Sequence, residues 1–227
     1  MVRSLHLLFA ATLAGALGGC ATPPVATAPP VPVESYGDRH LSDYAIVPLE
    51  ADLSAFDADG KRMIALLVQA SQVMDDIYWL QSWDGDREAL LARAPDAATR
   101  ELVALNFGPW DRLNADTPML PGIGPRPPGG MFYPADMDKA EFERARLPGK
   151  ASLYTLLRRD AEGALVTVPY HVAYAPQLQR AAALLREAAG LAGPELAQYL
   201  AMRADALLGD DFQPSDMAWM DMKHNMV

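Results

Sequence analysis

Ser152-Leu-Tyr-Thr-Leu-Leu-Arg-Arg-Asp-Ala-Glu-Gly-Ala-Leu-Val-Thr-Val-Pro-Tyr170 is the stretch on which the fold class turns. Two runs rich in Leu, Val, Thr and Tyr flank Asp160-Ala-Glu-Gly163, a turn-forming tetrapeptide, and this order predicts a β-hairpin. Pro169 has no N–H for a ladder, so its strand lies at an edge or ends there. On the N-terminal side the pattern is helical. Asp57 or Asp59 caps a helix running to about Gln81, with Met63, Leu66, Leu67, Ala70, Val73, Met74, Ile77 and Leu80 at helical spacing. Asp84 precedes a short helix through Arg93, and Pro95-Asp96 starts another that stops by Gly108-Pro109. The stretch to Pro134 carries prolines at 109, 118, 121, 125, 127, 128 and 134 and is expected to be irregular; so long a loop in a compact domain is commonly functional or packed over a neighbour. Asp136 or Asp138 then opens a helix through about Arg146.

On the C-terminal side of the hairpin, Pro176 and Gly190 bracket one helix, and Pro194 and Gly209 bracket the next. From Met217 to Val227 apolar and polar residues alternate, which predicts a third strand. The expected class is α+β: a mostly helical lobe with a β-hairpin and a terminal strand. That sheet is small, its edges are exposed, and the chain stops inside the alternation, so the expectation is a lobe cut short.

The chain has 227 residues, 51% hydrophobic and 21% charged, which is a globular composition. Its net charge of −10 argues against nucleic acid as a partner, because phosphate affinity comes from clustered Lys and Arg. The one cysteine, Cys20, closes no intrachain disulfide and builds no Cys-rich zinc site. It has another reading. Arg3 followed by an apolar run from Leu5 to Leu17 reads as a signal peptide over residues 1–19, and Leu17-Gly18-Gly19-Cys20 resembles the bacterial lipobox, which makes Cys20 the lipid attachment site. Residues 20–35, with prolines at 23, 24, 29, 30 and 32, read as an extended tether, and 36–227 as the folded lobe. Membrane lipid is then a partner through Cys20. The expected location is the bacterial cell envelope, with Ala21 favouring the outer membrane facing the periplasm.

The search for catalytic motifs is negative. His40, His171 and His224 are too far apart in sequence for a zinc helix, and there is no Gly-x-Ser-x-Gly elbow. Gly122-Ile-Gly124-Pro125 begins like a dinucleotide loop but places proline where donors are needed. Asp75-Asp76 point about 100° apart on a helix and read as a solvated face. Met220, Met222, His224 and Met226 would share one strand face and offer soft ligands to Cu(I), although Met as an adaptable core residue is the plainer reading. Trp110, Tyr133, Tyr170 and Trp219 sit beside Gly or Pro or in predicted strands and are candidates to line a cleft, with core packing as the plainer alternative.

Phe107-Gly-Pro-Trp-Asp-Arg-Leu-Asn114, Gly130-Met-Phe-Tyr-Pro-Ala-Asp-Met137 and Glu141-Phe-Glu143 resemble bacterial members of the dipeptidyl-peptidase III family of zinc peptidases. Ser152–Arg159, Val168-Pro-Tyr-His-Val-Ala-Tyr174 and Ser215-Asp-Met-Ala-Trp-Met-Asp-Met-Lys223 are similar to successive blocks of that family, so the resemblance runs from about Leu49 to Val227. It implies a two-lobed exopeptidase that releases dipeptides from peptide N-termini, with zinc held by two His of a His-Glu motif and a further Glu. Those ligands lie downstream of the matched blocks, so no catalytic or metal residue carries over. The matched part corresponds to the non-zinc lobe, expected to form one wall of the peptide cleft and to close on the zinc lobe.

Three expectations follow. The first is an N-terminal portion of such a lipoprotein, inactive without a zinc lobe supplied in cis or trans, with zinc present only when that lobe is. The second is a standalone envelope lipoprotein that binds peptides or partners. The third is an envelope Cu(I)-binding protein.

Overall fold

The structure is a computed structural model, and it describes residues Glu34–Asn225. The signal peptide, Cys20, nearly all of the tether and Met226 lie outside the described residues. The chain enters through α1 (Tyr36–His40), started by a capping box in which Ser35 and Asp38 satisfy each other's backbone N–H groups. A 3-10 turn and an extended stretch lead to α2 (Ala58–Ser82), capped by Asp57, whose carboxylate accepts from Gly60 N. Then come α3 (Arg87–Ala92) and α4 (Ala97–Leu105), each opened by an aspartate: Asp86 and Asp96 accept from the backbone N–H groups of Ala89 and Thr99.

The expected irregular stretch contains a minimal antiparallel pair, β1 (Trp110–Asp111) and β2 (Thr117–Pro118), that the sequence pattern did not announce. α5 (Lys139–Arg144) is capped by Asp138 and is shorter than its predicted span. The hairpin forms as read, with β3 (Thr155–Arg159) antiparallel to β4 (Leu165–Pro169) in the register Thr155 to Pro169 and Arg159 to Leu165. Its turn is closed by Asp160, whose carboxylate accepts from Glu162 N and Ala164 N, and by Gly163 at φ +82°. Pro169 ends the strand and leads directly into α6 (Tyr170–Ala173), followed by α7 (Ala175–Ala189) and α8 (Pro194–Gly209), both with proline in the first turn.

The predicted terminal strand is instead α9 (Gln213–Asp221) followed by an extended tail. Pro214 suits a helical first turn, Ser215 is fully buried and donates to Phe212 O, and Asp216 pairs with Arg203 of α8. The alternation of Met and polar residues was misleading because it buries no continuous face: Met217, Trp219 and Met220 are exposed, whereas Met222 packs on the core. No strand edge pairs with it among the described residues; the two sheets contain two strands each. The class remains α+β, a mostly helical lobe with small antiparallel sheets.

α2 is the spine. Its first half packs Met63, Leu66 and Ala70 against α7 and α8, where fully buried alanines at 182, 188 and 204 allow close helix approach. Trp79, in its last turns, anchors a second cluster with Leu90, Leu91, Leu102, Val103, Met119 and Leu120. Ile77 joins a third with Leu156, Tyr174 and Leu178. Among the described residues no helix is long and apolar enough to cross a membrane.

Candidate functional site

The segment Phe107–Asn114 does structural work that its sequence did not reveal. Phe107 turns the chain at φ +54° and packs against Tyr78 and Trp79 of α2, at ring distances of 4.8 and 5.6 Å. Asp111 is 1% exposed and accepts hydrogen bonds from Tyr36 Oη at 3.1 Å, Tyr44 Oη at 2.9 Å and Leu113 N at 3.1 Å. Burial, with this carboxylate beside them, holds both phenols above their usual pKa. Asn106 completes the knot by accepting from Arg112 N and donating to Leu102 O. The effect is to tie the N-terminal segment to the end of α4 and to aim Trp110 toward the loop that follows.

Trp110 is one wall of a cleft of about 580 Å3. Its indole Nε1 donates to Gly124 O at 2.9 Å, which fixes the 122–125 loop as the rim. Trp83, just past α2, meets it edge to face at 5.7 Å, and the indole Nε1 of Trp83 is buried without a partner. Tyr133 closes another side. Gly129, at φ +77°, has to be glycine because a Cβ there would lie 2.5 Å from the Tyr133 ring. Three arginines reach this cleft. Arg93 donates to Pro121 O, and Arg158 to Met131 O and Phe132 O, so neither has a carboxylate partner. Arg159 forks between Glu141 and Asp136, which raise its pKa, and its guanidinium in turn holds Asp136 below the usual carboxylate range.

Of the four aromatic candidates, Trp110 and Tyr133 therefore come together in one cleft. Tyr170 lines a second, of about 540 Å3, with Tyr154 and Tyr174. Trp219 lines neither; it is half exposed on α9 and packs on Tyr199 at 5.1 Å. Sequence reading missed Trp83, Arg158 and Tyr174. Only Tyr174 left a signal, as the second member of an i, i+4 tyrosine pair with Tyr170.

The soft-ligand arrangement for copper does not assemble. Met220 is exposed on α9, Met222 packs into the cluster of α2, α7 and α8, and His224 pairs with Glu195 at 3.1 Å. A helix followed by a tail points these residues in different directions, and Met226 lies outside the described residues. Among the described residues no three His, Cys, Asp or Glu converge as a metal site. Asp76 pairs with Arg87 and Arg180, whereas its neighbour Asp75 makes no ion pair and faces the second cleft.

An α+β lobe of this build, with its helical spine, hairpin and Trp-lined cleft, has the fold of part of dipeptidyl-peptidase III. The chain is similar to the solved dipeptidyl-peptidase III of Caldithrix abyssi, at 34% identity and a TM-score of 0.76 over 82% of its length. It is also similar to that of Corallococcus sp. strain EGB, at 34% identity and a TM-score of 0.75 over 83%. It spans only 38% and 37% of those chains. Among curated proteins it resembles Nudix hydrolase 3 of Arabidopsis thaliana, 26% identical over 246 aligned positions covering 81% of this chain and 32% of that protein. No protein-family model matches.

Proposed function

We propose that this chain is the non-zinc, N-terminal lobe of a dipeptidyl-peptidase III-like peptidase, forming one wall of a cleft that holds a peptide while a zinc lobe, in cis or trans, hydrolyses it. The observation that carries the reading is the likeness to two dipeptidyl-peptidase III structures over more than four-fifths of the chain at 34% identity. The described residues do not fit a zinc site, so no chemical step is assigned to them. Their part is binding. Trp83, Trp110 and Tyr133 offer flat apolar surface to peptide side chains, and Arg93 and Arg158, lacking carboxylate partners, can interact with peptide carbonyl or carboxylate oxygens. Lobe closure would expel water from this wall as the peptide seats.

The second reading, a standalone envelope lipoprotein that binds peptides or partners, draws on the three clusters around α2, which bury an apolar core without a further lobe. Both readings keep the lipid anchor at Cys20 and an outer-membrane location facing the periplasm as proposals from the sequence.

One experiment separates them. The native polypeptide is extracted from the cell envelope, and its intact mass, zinc content and hydrolysis of dipeptidyl chromogenic amides are measured beside those of the purified 227-residue chain. The peptidase reading expects a zinc-bearing, hydrolytic native species and an inactive isolated chain. A native species of the chain's own length, free of zinc and inactive, supports the standalone reading. Zinc-dependent hydrolysis by the isolated chain would overturn the placement of the zinc ligands outside it.

A further inference from the structure

α2, the start of β3, α6 and the junction of α8 with α9 enclose the second cleft, of about 540 Å3, walled by Tyr78, Tyr154, Tyr170, Tyr174 and Phe212. The charged side chains in its lining are both carboxylates, Asp75 and Asp210, with neither lysine nor arginine among them. Tyr154 and Tyr170 meet at 85° with centroids 6.4 Å apart, and Tyr170 and Tyr174 at 65° and 5.5 Å. Rings crossing at such angles form walls rather than a stack, and each ring face carries negative potential.

The protein already uses the outer rings in this way. The Arg112 guanidinium lies 4.9 Å from the Tyr78 centroid, and that of Arg203 lies 5.4 Å from Phe212. Tyr154, Tyr170 and Tyr174 have no such cation. Tyr174 is 4% exposed, with Gln81 beside its hydroxyl. Asp210 is held in place by His171, whose Nδ1 is 2.7 Å away and whose backbone N also donates to it, while Asp75 remains unpaired at the lip. Burial raises the Tyr170 pKa to about 12, so this ring stays neutral at physiological pH.

We propose that this cleft binds a small organic cation of the alkyl- or arylammonium class, seated against the faces of Tyr154, Tyr170 and Tyr174 with Asp75 as its counter-charge. Ring faces and an unpaired carboxylate select charge together with apolar bulk, which a hydrated metal ion or a neutral apolar molecule does not combine. The site is separate from the Trp83–Trp110 cleft and does not depend on the peptidase reading.

Calorimetric titration of the purified full chain with choline, and with its uncharged isostere 3,3-dimethylbutan-1-ol, tests the inference. Choline is expected to bind about tenfold more tightly than the isostere. Tyr154→Ala should weaken choline binding about tenfold and Tyr154→Phe should preserve it, because the ring and not the hydroxyl acts. Asp75→Asn, at an exposed position that does not threaten folding, should weaken it a few-fold. Trp219→Ala, remote from the cleft, should leave it unchanged. Equal affinity for the isostere, no choline binding at tens of millimolar, or equal binding by Tyr154→Ala and wild type would each overturn the proposal.

Discussion

Replacing Asp111 by alanine should be among the most damaging single changes in the chain. The carboxylate is 1% exposed and receives Tyr36 Oη, Tyr44 Oη and Leu113 N. Hydrogen bonds to an ionised group contribute about 1.5–3 kcal/mol each, offset by the several kcal/mol it costs to take a carboxylate out of water. Alanine removes that cost together with the three bonds; Tyr44 Oη keeps Asn106 Oδ1 at 3.0 Å as an acceptor, whereas Tyr36 Oη and Leu113 N lose theirs. The phenol side chains are only partly buried and recover some water, so the net loss is about 2–3 kcal/mol, the upper part of the range for leaving buried donors unpaired. Tyr44→Phe should cost about 1 kcal/mol in the wild type and less once Asp111 is gone, when Asn106 Oδ1 is the acceptor that remains to the phenol. Urea unfolding of the four members of this cycle measures both quantities.

The same knot sets a pH dependence. Tyr36 and Tyr44 have pKa values above the ordinary 10.0 in the folded chain, so above pH 10.0 the folded state holds more protons than the unfolded one. Their contribution is therefore complete below pH 10.0 and is lost as pH rises through the folded values. The double variant Tyr36→Phe, Tyr44→Phe should show a shallower alkaline loss. A cost for Asp111→Ala within about 0.5 kcal/mol of zero, or a Tyr44→Phe cost independent of Asp111, would refute the assignment.

Two further outcomes are expected. Gly37→Ala ordinarily favours a helix, but here the new Cβ would lie 2.1 Å from Thr99 N and 2.4 Å from Ala98 C, so α1 must lift off α4 and stability should fall by about 1–3 kcal/mol; a gain in urea midpoint would show that α1 does not dock there. Glu195 accepts from the backbone N of His224, meets the His224 imidazole Nδ1 at 3.1 Å and accepts from the backbone N of Lys223, and together these pull its pKa down to about 2. Its hold on the tail is therefore complete above the ordinary 4.5 and is lost as pH falls through about 2. In Glu195→Gln, hydrogen exchange at Lys223 and His224 should accelerate several-fold near neutral pH, and unchanged protection would mean that the tail is fixed by other contacts.

What the sequence revealed follows the range of the interactions concerned. Asp57, Asp96 and Asp138 announce helix starts because a cap acts over three residues, and Asp160 with Gly163 announces the hairpin for the same reason. β1 and β2 were invisible because two residues carry no period; what holds Asp111 there is Tyr36 and Tyr44, more than sixty positions away. The tail misled because alternation signals a strand only where one face is buried, and Trp219 and Met220 face solvent. Trp110 and Tyr133 were legible as aromatics beside glycine and proline. That Trp83 and Arg158 join them depends on Ile77 of α2 and Leu156 of β3 packing into one cluster, a contact between residues far apart in sequence.

Of the strings on which the family resemblance rests, Phe107–Asn114 is the one whose physical role is plainest, and that role is architectural. Phe107 turns the backbone, Trp110 pins the 122–125 loop, and Asp111 gathers the N-terminal tyrosines. Each of these positions is restricted in residue type for reasons of folding alone: a positive φ, a buried indole with one acceptor, a buried carboxylate with three donors. A polypeptide that kept this knot would keep the lobe whether or not it kept peptidase activity. A resemblance carried by such residues therefore supports the fold strongly and the chemistry only indirectly. The test of function belongs at half-exposed Tyr133 and at Arg93 and Arg158, whose charges meet no carboxylate among the described residues.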